Sequence, residues 1–136
     1  HVWGFAVGND LTRRDLQAAA KEMGRPWDMA KGFDHSAVIG PVHAIETTGP
    51  MSSGAITTVV DGVPKQEADL SDMIWSVPEI IATISRSVEL KPGDLIMTGT
   101  PAGVGPIEPG QSLRVEITGL PDTVLTVTAK AGTTAS

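Results

Sequence analysis

The sequence contains no cysteine. Disulfide staples, thiolate metal sites and a cysteine nucleophile are thereby excluded, and a reducing compartment is compatible with the chain. No apolar run reaches the length that spans a bilayer, and no signal peptide opens the sequence. A cytoplasmic protein with no membrane partner is the expectation. Positive charge is scarce: ten Lys and Arg face sixteen Asp and Glu, for a formal net charge of −6. Nucleic-acid surfaces need clustered Lys and Arg to neutralise phosphates, so no nucleic-acid partner is expected. The deficit leaves room for one or two basic side chains aimed at an acidic small molecule. Gly-x-Ser-x-Gly is absent, which disfavours a serine-hydrolase elbow. The three histidines, His1, His35 and His43, have no zinc-ligand spacing. Neither an internal repeat nor a linker is visible.

The 136 residues are 40% hydrophobic and 19% charged, which fits one globular domain. Fifteen glycines and ten prolines point to short strands joined by shaped loops. The chain opens at His1 without an initiator Met, as a processed, truncated or partial chain would.

An apolar run over residues 2–7 reads as a buried strand ending at Gly8-Asn9-Asp10. Thr12 as N-cap, with Asp15 three residues on, forms a variant capping box that predicts a helix over 13–23. Gly24 and Pro26 stop it. Residues 27–41 read as irregular, and 42–45 as a short strand. The β-branched run 55–60 is a stronger strand, and Asp61-Gly62 is a two-residue hairpin signal that returns 63–66 antiparallel. A helical turn is expected over 71–75. Ser76-Val77-Pro78-Glu79 is a second capping box, opening a helix to about residue 87. Leu95-Ile96-Met97 reads as a buried strand, followed by a Gly/Pro-rich loop over 98–109. Residues 113–117 and 124–128 alternate as half-buried antiparallel strands do. The fold class is therefore α+β and strand-dominated, one domain over 1–130 with a frayed tail over 131–136.

Chemistry gathers near the start of the first predicted helix. Arg14 and Gln17 stand at i and i+3 and share a side of it. They flank the helix N-terminus, where free N–H groups favour anions. Asp10 ends the preceding strand and suits a hard cation such as Mg²⁺. Arg14 can hold a carboxylate through two hydrogen bonds. From spacing alone, a capping Asp10 beside a solvated Arg14 and Gln17 accounts for the same residues, so both readings stay open. Lys31 lies in the uncharged run Met29-Ala30-Lys31-Gly32-Phe33, where it is a desolvated base or oxyanion stabiliser, or else an exposed loop lysine. Gly99 and Thr100 lie in a Gly-rich loop that can cradle a carboxylate, or that is simply a turn. The loop matches neither a Walker nor a Rossmann fingerprint. His43 reads as structural, and His35, four residues past Lys31, as a candidate for the same cavity.

Three ordered segments carry a resemblance. They are Gly8-Asn9-Asp10-Leu11-Thr12-Arg13-Arg14-Asp15-Leu16-Gln17; Trp27 with Ala30-Lys31-Gly32-Phe33-Asp34; and the run from Asp94-Leu95-Ile96-Met97 through Thr98-Gly99-Thr100-Pro101-Ala102-Gly103-Val104-Gly105. With Gln66, Met73-Ile74 and Pro92-Gly93 between them, they make the chain resemble the fumarylacetoacetate hydrolase family over nearly its whole length, as a C-terminal catalytic domain. Thr-Arg-Arg-Asp-Leu-Gln and Gly24-Arg25-Pro26-Trp27 look most like the branch acting on acylpyruvates such as fumarylpyruvate.

The resemblance implies a mixed β-sandwich roll with a few short helices, a homodimer, and a bound Mg²⁺ or Mn²⁺, with Ca²⁺ a third candidate. It implies hydrolysis of a carbon–carbon bond in a β-diketo acid, with decarboxylation or tautomerisation of an oxo acid as the alternative. The substrate is a small-molecule dioxo acid. Carried over by position, Asp10 is a metal ligand, Lys31 the catalytic lysine beside the metal, and Arg14, Gln17, Gly99 and Thr100 substrate contacts. It further implies two metal-binding glutamates in a Glu-x-Glu and a water-activating His–Glu pair, both ahead of the first matching segment. These residues contain no Glu-x-Glu. The chain is thus expected to lack an N-terminal portion of the domain, and a non-catalytic fragment or binding module is the rival reading. His35 stands where many relatives carry a small hydroxyl residue.

Overall fold

Residues 1–129, those described by the computed structural model, run through eight strands and four α-helices. In chain order these are β1 (Gly4–Phe5), β2 (Gly8–Asp10), α1 (Arg14–Glu22), α2 (Asp28–Lys31), β3 (Ala37–Ile39), β4 (His43–Ala44), α3 (Ile45–Thr48), β5 (Ala55–Val60), β6 (Val63–Asp69), a 3₁₀ turn (Leu70–Asp72), α4 (Val77–Ile84), β7 (Ser112–Ile117) and β8 (Thr123–Thr126). The longest described helix, α1, has nine residues, so the expected strand-dominated α+β class holds. The tail expected over 131–136 lies outside the described residues. No described helix is long and apolar enough to cross a membrane.

The larger sheet grows from the β5–β6 hairpin. Asp61 and Gly62 take φ of 47° and 81°, the two left-handed residues a type I′ turn requires. Asp61 also anchors the next strand, since the Ser112 N–H donates to its Oδ1 at 2.8 Å. The sheet order is β6-β5-β7-β8, every pair antiparallel. Register places Thr58 opposite Val115 and Val60 opposite Leu113, with Val115 opposite Thr123. These five side chains are buried and form the inner face. The period-2 alternation of both strands is what selects that face.

Two short ribbons, β1–β4 and β2–β3, complete the strands. The expected opening strand is split between them, with Val7 at the break buried to 1% exposure. Gly40 donates its N–H to the Val7 carbonyl at 2.8 Å. A Cβ at Gly40 would overlap the Thr123 hydroxyl, so the absent side chain is what lets the β2–β3 ribbon lie against β8.

Several local expectations are corrected. α1 starts at Arg14 with the extended Arg13 as its cap and no side-chain hydrogen bond there, so Thr12 lies one residue outside the cap position, its hydroxyl accepting from Lys31. The segment 27–41 holds α2 and β3. Leu95-Ile96-Met97 forms no strand, and Leu95 and Met97 are exposed at 64% and 45%. An apolar run becomes a strand only with a ladder partner, and none pairs with it among the described residues. By contrast, α4 opens on the predicted box: Ser76 Oγ and N–H both donate to Glu79 Oε2, at 2.7 and 2.8 Å.

Candidate active site

Backbone hydrogen bonding brings the first half of the site together. β2 pairs Asp10 with Ala37 of β3. The ladder is extended by Leu11 N–H donating to Ser36 O at 2.7 Å. The chain then turns into α1, and Arg13 N–H donates to the carbonyl of buried Ala30 at 3.0 Å. That bond docks α2 against the start of α1 and delivers Lys31, its last residue. Lys31 Nζ donates to Asp10 Oδ2 at 2.7 Å and to Thr12 Oγ1 at 2.8 Å. The two charged side chains keep 34% and 41% of their surface exposed, so solvent screens the pair and it adds at most about 1 kcal/mol of stability. Its consequence is placement, because two fixed acceptors set where the ammonium stands.

On the adjoining face of α1, Arg14 Nη1 donates to Gln17 Oε1 at 2.9 Å. Arg carries five N–H donors, so most remain for a ligand.

The second half depends on an irregularity in β6. Thr58 pairs with Gln66 but Val59 pairs with Pro64, leaving Lys65 as the extra residue of a bulge. Pro64 is tolerated because β6 is an edge strand with no second ladder to feed. The bulge aims Gln66 at the 98–105 loop, where its Nε2 donates to Pro101 O at 2.8 Å and lies 3.4 Å from Thr100 Oγ1. Gly103, at φ 95°, lies so near the Lys65 carbonyl that a Cβ would overlap it. The loop is thus pinned to β6 at and just after Thr100, through Pro101 and Gly103.

The halves enclose a cavity of about 330 Å³ with Asp10, Arg14, Gln17, Lys31 and Thr100 on its wall. Five of the six residues singled out from sequence therefore meet. Gly99 does not; it lines a neighbouring apolar cavity of about 490 Å³, of which Ile74 and Trp75 are also part and to which Thr100 is the common boundary. His35 lines neither cavity and sits exposed at φ 62°. His43 is half-buried in β4, in keeping with a structural role. Thr12, Lys21, Trp27 and Val104 complete the first cavity. Of these, Lys21 was detectable, since it follows Arg14 by two helical turns and Gln17 by one.

Asp10 is the one carboxylate on this wall. Among the described residues no three His, Asp or Glu side chains form a group able to hold a metal ion. Hard dications take six or more oxygens, so the donor chemistry fits such an ion as one contributor, not as a complete cage. Asp69 is held below the usual aspartate range by the Ser71 hydroxyl and by the backbone N–H groups of Ser71 and Gly54. Glu79 is lowered by the Ser76 hydroxyl and N–H.

Over residues 1–128 the sequence matches the fumarylacetoacetate (FAA) hydrolase C-terminal domain. It is 40% identical over 126 residues to a fumarylpyruvate hydrolase of a Ralstonia species, covering 93% of this chain and 65% of that protein. It is equally 40% identical, over 119 residues, to an oxaloacetate tautomerase of Escherichia coli K12, covering 87% of this chain and 54% of that one. The fold superposes with a TM-score of 0.93 on the crystal structure of fumarylpyruvate hydrolase from Pseudomonas aeruginosa in complex with Mn²⁺ and pyruvate. Identity there is 48%, over 96% of this chain and 56% of the other. The chain thus spans from 54% to 65% of the length of these curated relatives. Its match to the family's C-terminal domain runs through all but the last residues, and the chain belongs to the fumarylacetoacetate hydrolase family.

Proposed function

We propose that this chain supplies part of the active site of a metal-dependent hydrolase that cleaves a carbon–carbon bond in an acylpyruvate such as fumarylpyruvate. The observation that carries the proposal is the meeting of Asp10, Arg14, Gln17, Lys31 and Thr100 around one cavity, with Lys31 held 2.7 Å from Asp10. Residues 1–130 are read as a fumarylacetoacetase C-terminal-like domain, and a homodimer is the assembly this reading carries with it.

In the reaction, water adds to the distal carbonyl carbon and the bond to the central carbon breaks. The electron pair leaves with the three-carbon half as pyruvate enolate, which takes a proton. Asp10 would contribute one ligand to a bound Mg²⁺ or Mn²⁺, which would supply Lewis-acid polarisation of the dioxo group. The Lys31 ammonium stabilises negative charge developing on the enolate oxygen. Arg14 and Gln17 orient the substrate from the α1 face, and the Thr100 hydroxyl donates to its carboxylate.

The test is cation-dependent loss of fumarylpyruvate absorbance by the purified chain, compared with Lys31→Met and Asp10→Asn. Losing the lysine is expected to lower kcat by about 10²–10³, and losing the carboxylate to raise the Mn²⁺ concentration required. Full turnover in either variant overturns these roles. A purified chain with no cation-dependent turnover, and with Mn²⁺ binding that Asp10→Asn leaves unchanged, overturns the enzyme reading and favours a binding module. A second reading, tautomerisation or decarboxylation of oxaloacetate, is supported by the relatives named for those activities at 40% and 39% identity. Enol–keto exchange of oxaloacetate faster than fumarylpyruvate cleavage would select it.

A further inference from the structure

The cavity carries more positive charge than the proposed chemistry uses. Arg14, Lys21 and Lys31 face a single carboxylate, Asp10, in a chain whose formal net charge is −6. Lys31 is already committed to Asp10 and Thr12, and Arg14 touches Gln17. Lys21 makes no salt bridge among the described residues, although acidic side chains outnumber basic ones across the chain. Arg14, Gln17 and Lys21 stand at i, i+3 and i+7, which is one face of α1. Seven residues of helix separate Arg14 from Lys21 by about 10 Å along the axis. The cavity therefore runs beside the helix from a cationic end at Lys31 and Arg14 to a second cationic end at Lys21. Trp27 and Val104 supply apolar wall.

We propose that Lys21 is a specificity-determining residue that binds the second carboxylate of a dicarboxylate substrate of about six to seven carbons. The assignment rests on the acylpyruvate reading for the identity of the cavity, and deepens it by naming the residue that meets the carboxylate far from the pyruvate end. A lysine in the last turn of a helix also complements the helix dipole. That structural role would alter stability without distinguishing one ligand from another, so ligand discrimination is the deciding readout.

The experiment titrates the purified chain with adipate and with hexanoate, which share six carbons and differ in one terminal carboxylate. Binding is read by tryptophan fluorescence, because Trp27 lines the cavity while Trp3 and Trp75 do not. Trp27→Phe must abolish the signal. A partly exposed ion pair contributes up to about 1 kcal/mol, which is about fivefold in affinity. Lys21→Met is expected to reduce the preference for adipate over hexanoate about fivefold, Lys21→Arg to retain it, and added salt to weaken it in the wild type. An unchanged preference, equal weakening of both ligands, or no binding of adipate by the wild type overturns the proposal. Neither metal nor turnover is needed. Intact discrimination without acylpyruvate cleavage sinks only the hydrolase reading, and cleavage with Lys21-independent discrimination sinks only this one.

Discussion

Replacing Gly103 by Ala tests how the Thr100 loop is held. Gly103 has φ 95°, in the left-handed half of backbone space, where a Cβ costs about 1–2 kcal/mol. The new methyl would also overlap the Lys65 carbonyl, with the Gln66 Cα close behind. Lys65 belongs to the bulge, so its carbonyl cannot retreat without disturbing the β5–β6 ladder, and the loop must move instead. That movement strains the 2.8 Å hydrogen bond from Gln66 to Pro101, worth about 1 kcal/mol. The sum is a loss of about 2–3 kcal/mol. With a urea slope of about 1–3 kcal/mol/M, the midpoint should fall by about 1 M. Gly105 is the internal control, two residues on in the same loop. It lacks a positive φ and faces open space. Gly105→Ala should therefore stabilise by up to about 1 kcal/mol, through reduced freedom of the unfolded chain. Urea melts of both variants at matched slope decide the matter. Shifts of the same sign and size, or a Gly103→Ala shift below about 0.5 kcal/mol, would refute the argument that Gly103 is a close-approach site.

Two further outcomes follow from the contacts. Because the Glu79 carboxyl is held below the usual glutamate range, it stabilises the fold at neutral pH. That contribution is lost as pH falls through the ordinary glutamate range and then the lowered value. Thermal melts during stepwise acidification should show the wild type losing more stability than Glu79→Gln across that window, and parallel curves would contradict the cause. Thr12→Val should leave stability near wild type, since Thr12 is not the cap of α1, yet reduce turnover by freeing the Lys31 ammonium from one of its two acceptors. A loss of about 1 kcal/mol with unchanged turnover would restore Thr12 as a cap.

What the sequence disclosed is what neighbouring residues decide among themselves. Asp61-Gly62 forms its turn because those two residues tolerate positive φ, and the Ser76 to Glu79 box closes over a span of four residues. Arg14 and Gln17 meet because helical spacing obliges them to. Thr12 shows where this stops. Its hydroxyl was a sound cap by local pattern, but α1 starts one residue later and the hydroxyl accepts instead from an ammonium nineteen residues away. The Lys31–Asp10 pair spans twenty-one residues and depends on the β2–β3 register, which no local signal gives. The bulge at Lys65 has no signature beyond Pro64, and without it the aim of Gln66 at Thr100 could not be inferred. Leu95-Ile96-Met97 has strand composition, and composition does not supply a partner.

The two halves of the site rest on different supports, which constrains how the cavity keeps its shape. Asp10, Thr12 and Lys31 are fixed by the β2–β3 ribbon and by the Arg13–Ala30 hydrogen bond. Thr100 is fixed by Gln66 and Gly103 on the edge of the larger sheet. None of those contacts joins one support to the other. The ribbon meets the sheet where Gly40 lies against Thr123 and accepts no side chain between them. The separation of Lys31 from Thr100, and so the width of the cavity between them, is therefore set in part at a junction on which neither residue lies. Small residues at positions 40 and 103 act on the site through distance alone: one fixes how the ribbon sits on the sheet, the other how the loop sits on its edge.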